Sequence, residues 1–172
     1  AFPGNSKDAA LSQPVNGAFT VRAGGPGAGI VLVEAYDTGG SAGGRLVNVS
    51  ARNRVGTGDD ILIAGFSVAG AGAKQVLIRA VGPTLGSFGV TGFLADPTVR
   101  VLDARGASVG VNDNWSSALS ATFTQVGAFP LTAGSRDAAL LVTVPAGATY
   151  TIQVSGVNNG TGEALVEVYE VF

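Results

Sequence analysis

The chain has 172 residues, 46% apolar and only 13% charged, with a net charge of −2 and 27 glycines. That is too apolar for a disordered chain and long enough to bury a core. Cys, His and Met are absent, which removes thiol and imidazole chemistry and the zinc or haem sites built on those side chains.

Ten runs predict strands: Ala18–Ala23, Ile30–Tyr36, Leu46–Arg52, Ile61–Val68, Gln75–Val81, Thr98–Leu102, Ala107–Val111, Ala138–Val144, Thr149–Ser155 and Ala164–Val171. Most alternate, or are apolar throughout, as strands with one or both faces buried do. "QVLIRAVG" and "ILIAGFSVAG" read as buried on nearly both faces. Between the runs lie turn sequences such as "VGTGDD", "AGAGAK" and "VPAGAT". "DARGA", between "VRVL" and "SVGV", predicts a hairpin. Ser116–Val126 lacks turn residues and predicts a short helix under the single Trp115. Many short Val-rich strands broken by Gly make an all-β antiparallel sandwich or barrel. No Lys/Arg cluster marks a nucleic-acid surface, and no run of eighteen apolar residues predicts a membrane span.

Part of the chain is written twice. "AFP" at Ala1–Pro3 returns at Ala128–Pro130, and "SKDAAL" at Ser6–Leu11 returns as "SRDAAL" at Ser135–Leu140. "AFTVRAGG" at Ala18–Gly25 returns as "TYTIQVSG" at Thr149–Gly156, and "GIVLVEAYD" at Gly29–Asp37 as "GEALVEVYE" at Gly162–Glu170. The offset grows from 127 to 133 by insertions that fall in turns, as in duplicated β structure. Residues 1–37 therefore read as a second half-repeat of about three strands, duplicating 128–170. Thr38–Gly44 reads as a Gly-rich linker, and 45–172 as one complete repeat.

The stretch "GRLVNVSARNRVGTGDDILIAGFSVAG", with "KQVLIRAVGPTL", "LADPTVRVLDARGASVGVNDNW" and the closing "ALVEVYEV", resembles a tandem repeat of large secreted bacterial surface proteins. The last third is also similar to the bacterial pre-peptidase C-terminal domain. The resemblance implies a jelly-roll-like β-sandwich, secreted and non-catalytic, used for attachment, targeting or assembly. "AFPGNSKDAA" lacks the basic start and apolar stretch of a signal peptide, so a secreted protein is expected here in its mature form. The lack of Cys and Met suits an exposed surface that resists oxidation.

Few residues carry chemistry. Asp96, Asp103, Asn112 and Asp113 bracket the predicted hairpin, with Asn114 beside them. Hard oxygen ligands at loop ends suit calcium, but the same residues close turns. Domains similar to the pre-peptidase type sometimes bind calcium. No other cofactor is implied. Asp59 and Asp60 read as a solvated turn, with a calcium or acid–base pair as the alternative. Trp115 reads as a core plug or, less simply, a sugar platform. Glu34 and Glu167 hold the same place in the duplicated strand. Alternation puts Val31, Val33 and Ala35 on one face and Leu32, Glu34 and Tyr36 on the other. Glu167 is thus expected at solvent or an interface, paired with an Arg on a neighbouring strand. "GGPGAG" lacks the Lys and helix of a phosphate loop.

Three readings follow. The first is an extracellular, non-enzymatic filament or surface-layer subunit whose copies join head to tail by β-strand addition or exchange, the alternative for the half-repeat being that it adds to the sandwich of its own chain and makes one enlarged domain. Phe19, Val21, Val31, Val33 and Tyr36 are its expected interface. The second is a calcium- or carbohydrate-binding attachment module at the C-terminus of a secreted multidomain protein, with cell-surface polysaccharide as partner. The third, an enzyme, has no His, Cys or convergent acidic motif behind it.

Overall fold

The structure is a computed structural model that describes residues 6–27, 29–38 and 45–172. The first "AFP" block and nearly all of the expected linker lie outside the described residues. The chain divides into two compact units, Ala1–Ala42 and Gly43–Phe172.

The second unit holds eight strands: β1 (Asn48–Val55), β2 (Leu62–Val68), β3 (Ala73–Val81), β4 (Pro97–Leu102), β5 (Ser108–Asn112), β6 (Ala138–Pro145), β7 (Ala148–Gly156) and β8 (Gly162–Val171). One sheet has the order β1-β8-β3-β6 and the other β2-β7-β4-β5, and every ladder is antiparallel. This is the jelly-roll arrangement of two four-stranded sheets. The expected strands of this unit are all present, within a few residues of their predicted ends. Pro97 opens β4 and Pro145 closes β6, where no central ladder needs their missing N–H.

Alternating side chains from both sheets meet between them. Val76, Ile78 and Ala80 from β3, Val166 and Val168 from β8, and Val99, Val101, Ile152 and Val154 from the other sheet form one buried cluster. Each such Val or Ile side chain contributes roughly 1.5–3 kcal/mol on leaving water. The reverse face of the first sheet is covered as well. Leu77, Val81 and Tyr169 pack there under Leu85, Phe123, Ala128 and Leu131. The cover comes from a 3-10 turn (Pro83–Phe88) and from a short helix, α1 (Ser120–Gln125), with the loop after it. The predicted helical stretch thus exists, and its Phe123 lies 5.6 Å from the Trp115 ring.

The hairpin forms at the expected place. Gly106 N–H donates to the Asp103 carbonyl at 2.9 Å, with Gly106 at φ +79°, which suits a residue without Cβ.

The first unit differs from expectation. Its described residues contain no helix or strand, so Ala18–Ala23 and Ile30–Tyr36 do not form the predicted strands. The jelly-roll ladders supply the reason. β6 pairs with β3, β7 with β2 and β4, and β8 with β1 and β3. No strand of the second half pairs with another of that half. A duplicate of that half carries the alternating pattern but none of the ladder partners, and unpaired strands are not stable in water.

Candidate functional site

The predicted oxygen ligands fall at two ends of the β4–β5 hairpin. Asn112 pairs with Val99 across the hairpin, whereas Asp103 sits in its turn. Three strand residues lie between Val99 and Asp103, so the two are four steps apart, roughly 13 Å at 3.3 Å per residue. Asp103 is committed locally: its Oδ1 accepts Arg105 N–H at 2.8 Å and Ala107 N–H at 2.9 Å. Those bonds hold its carboxyl below the usual carboxylate range. Asn112 Oδ1 accepts Ala139 N–H at 3.0 Å, and its amide donates to the Asn114 carbonyl. Asp96 Oδ2 is bound by Arg136, while its buried Oδ1 has no partner among the described residues. Asp113 is exposed. No cluster of three or more acidic side chains with metal-ligand spacing occurs among the described residues.

Asp59 and Asp60 are exposed in the β1–β2 turn. Gly56 N–H donates to the Asp60 carbonyl at 2.6 Å, so the backbone of Asp60 closes that turn.

Glu167 corrects an expectation. It pairs with an Arg on a neighbouring strand, but it is buried rather than at solvent. Arg79 is its register partner on β3. Arg79 Nε donates to Glu167 Oε2 at 2.8 Å, its NH2 group donates to the same oxygen, and its NH1 donates to the Phe129 carbonyl at 2.6 Å. Tyr169 OH donates to Glu167 Oε1 at 2.7 Å. The guanidinium lies 4.4 Å from the Phe129 ring centre and 4.9 Å from that of Phe123, within cation–π range. Burial, and the hydrogen bond to Glu167, push the Tyr169 hydroxyl well above its ordinary pKa. Alternation had placed Glu167 correctly on the outer face. Local alternation does not reveal that α1 and its loop cover that face.

A second buried group escaped sequence reasoning. Asp137 is fully buried at the start of β6. Its Oδ1 accepts Gly82 N–H at 2.7 Å and Thr84 N–H at 3.3 Å, and its Oδ2 accepts the hydroxyls of Thr84 and Ser135. Ser135 in turn accepts the Trp115 indole N–H at 3.1 Å. Asp137 therefore ties the 3-10 turn to β6 and orients Trp115, which packs against the covering cluster. Its signal was its presence in both copies of the "S-K/R-D-A-A-L" block. The acceptors and donors of both buried groups are engaged within the fold, so their chemistry is that of structural anchors.

An open groove of about 320 Å³ lies on the covered side of the first sheet. Arg52, Leu85, Phe88, Val90, Phe129 and Leu165 line it. It offers one cation and otherwise apolar walls.

The candidate interface residues all stand in the first unit and are all exposed: Phe19, Val21, Val31, Val33 and Tyr36. Ile30 and Leu32 beside them are more exposed still. Tyr36 OH donates to Glu34 Oε1 at 2.9 Å. Among the described residues, no helix is long and apolar enough to cross a membrane. No protein-family model matches the chain, and comparison with curated proteins gives no match.

Proposed function

We propose that this chain is a non-catalytic structural protein of the extracellular surface, a subunit of a self-assembling filament or surface layer. Its copies join through residues 1–37, which complete or extend a β-sheet of the next copy. One observation carries this reading: in the jelly roll, β6, β7 and β8 pair only with strands of the first half. A second copy of that half has the same need for outside partners, and the described residues among 6–38 carry its sequence with their large apolar side chains exposed. Contiguous exposed apolar surface of this kind marks an interaction site. Main-chain hydrogen bonds would give such a contact its affinity and alternating side chains its register. A contact from one end of a molecule to a different surface of the next propagates unless its rotation closes a ring. The resemblance to tandem repeats of secreted bacterial surface proteins, and the absence of Cys and Met, support an extracellular setting.

The test is deletion of Ala1–Gly40, followed by light scattering and electron microscopy of both proteins. The expected result is filaments or sheets from the full chain, and a folded monomer with the jelly-roll melting transition from the deletion. A deletion that still polymerises normally would sink the reading. So would a full chain that stays monomeric at high concentration.

A further inference from the structure

The two open sides of the sandwich are built differently. On one side β5 and β6 close upon each other. A Cβ at Gly110 would stand 2.6 Å from Leu140 Cδ1, and Asn112 caps Ala139 N–H at 3.0 Å. On the other side, where β1 and β2 are the edges, several apolar residues stay wet. Val47 and Val49 are each 43% exposed, and every residue of β1 except Val55 is exposed.

The backbone of β1 points in alternate directions. Glu170 N–H donates to the Val47 carbonyl at 2.9 Å, so Val47, Val49, Ala51 and Asn53 aim their backbone groups at β8. Asn48, Ser50, Arg52 and Arg54 aim theirs away from it. No strand pairs with that edge among the described residues, and Arg54 N–H is satisfied there by its neighbour Asn53 Oδ1 at 2.8 Å. Arg52 and Arg54 form no ion pair among the described residues. Cationic side chains on an edge strand deter indiscriminate pairing. They admit a strand that brings a carboxylate to the right place.

We infer that this edge of β1 is the acceptor for residues 30–36 of a second copy, which add antiparallel as a further strand of the first sheet. The inference rests on the assembly proposed above and names its surface. β8 already pairs with every residue of β1, and "GIVLVEAYD" is a near copy of the β8 sequence. The added strand gives β1 on its free edge the same kind of partner. With Glu34 opposite Arg52, Leu32 falls opposite Arg54, so the carboxylate sits across from one guanidinium and diagonal to the other. Val31, Val33 and Ala35 then share the face of Val47 and Val49, and the exposed apolar edges of both copies are covered together.

The chain has no cysteine, so disulfides read this contact directly. Residues of a hydrogen-bonded antiparallel pair lie about 5.5 Å apart at Cα, within disulfide range. Full-length Glu34→Cys and Arg52→Cys proteins, mixed and oxidised, are expected to give covalent heterodimers at least tenfold faster than Glu34→Cys mixed with Ile63→Cys. The double variant Glu34→Cys/Arg52→Cys is expected to give a ladder of oligomers. Ser50→Pro removes an N–H that points away from β8, and is expected to abolish assembly while melting like the parent. Heterodimers no faster than the control, a double variant that closes only within one chain, or a folded Ser50→Pro protein that assembles normally would each overturn the inference. If Ser50→Pro does not fold, the cross-linking rates decide. Loss of assembly on deleting 1–40, with no Glu34–Arg52 cross-link, would overturn this acceptor edge while leaving the proposed function standing.

Discussion

Residues 29–37 and 162–170 share Gly, Leu, Val, Glu and Tyr at matching positions, yet they live in opposite environments. The later copy is β8, flanked by β1 and β3 and buried on both faces from Val166 to Tyr169. The earlier copy forms no strand, and its described residues are exposed. What they keep in common is strictly local. Tyr36 donates to Glu34 at 2.9 Å as Tyr169 donates to Glu167 at 2.7 Å. Ser6 donates to Asp8 as Ser135 donates to Asp137. What they do not share comes from far away in the chain. The ion-pair partner of Glu167 is 88 residues distant, and the ladder partners of β8 belong to the first half of the fold. Contacts between residues two apart survive duplication of half a jelly roll, and contacts across the sandwich do not.

The sharpest way to break that comparison is to place a charge at matched positions. Val166, buried in the core, and Val33 hold equivalent places. An uncompensated buried charge costs several kcal/mol. Val166→Asp, like Ile78→Asp on the central strand β3, is expected to abolish the cooperative melting of the jelly roll. Val33→Asp is expected to leave that transition where it was. Circular dichroism melts of the three variants decide it, and equal losses from Val33→Asp and Val166→Asp would end the claim that the copies differ in environment.

The next largest effect concerns the paired carboxylates. Glu167→Ala strands the fully buried Arg79, and breaking a buried pair costs about 3–5 kcal/mol. Glu34→Ala removes a contact between exposed side chains and is expected to leave the urea midpoint of the jelly roll unchanged. A Glu167→Ala protein as stable as its parent would mean that the Phe129 carbonyl and the aromatic rings alone hold Arg79. Arg79→Met with Glu167→Leu is expected to recover much of the loss, since an apolar pair of similar volume needs no desolvation.

Eight strands, the hairpin and the short helix were legible because each is written in a local code: alternation, turn residues, or the lack of them. The burial of Glu167 was not, because the side of the sheet it faces is covered by residues 40 or so positions earlier in the chain, at Phe123 and Phe129. Arg79 inside the apolar run "QVLIRAVG" was the available clue, since a lone Arg in a buried strand requires an anion opposite. The two strands expected in residues 18–36 fail for the complementary reason. Their alternation is genuine, inherited from β7 and β8, but alternation specifies a face and not a partner. Of the predicted oxygen ligands, Asp103 carried equally good turn chemistry, and the hairpin uses it in that way.

A smaller effect separates Asp137 from Asp8. Asp137→Ala leaves the Gly82 and Thr84 donors without their buried acceptor, at about 1–3 kcal/mol. It also releases Ser135 from beneath Trp115, so the Trp fluorescence spectrum is expected to shift to longer wavelength. Asp8→Ala, in a fully exposed stretch, is expected to change neither stability nor fluorescence. An unshifted Trp spectrum in Asp137→Ala would mean that the indole is held by packing alone.

The smallest effect is also the most direct reading of the two environments, because each copy carries a tyrosine bonded to its own glutamate. Tyr36 is raised above the ordinary value near pH 10 chiefly by its hydrogen bond to Glu34, and Tyr169 chiefly by burial, with Glu167 adding to it. Tyr36 is exposed, so in the unassembled chain its phenolate forms with the jelly roll intact. Tyr169 binds its proton more tightly folded than unfolded. Its contribution to stability is therefore complete below about pH 10 and drains away as pH rises from there toward the folded value. Alkaline titration followed by phenolate absorbance is expected to show Tyr36 ionising reversibly with the circular dichroism unchanged, a step missing in Tyr36→Phe. Tyr169 is expected to ionise only as the jelly roll unfolds. Tyr169→Phe should lose less stability between neutral pH and pH 11 than the parent, although it starts lower for want of the bond to Glu167. If Tyr169 ionised together with Tyr36 while the fold stayed intact, the two copies would share one environment, and the contrast between them would have to be sought in the backbone alone.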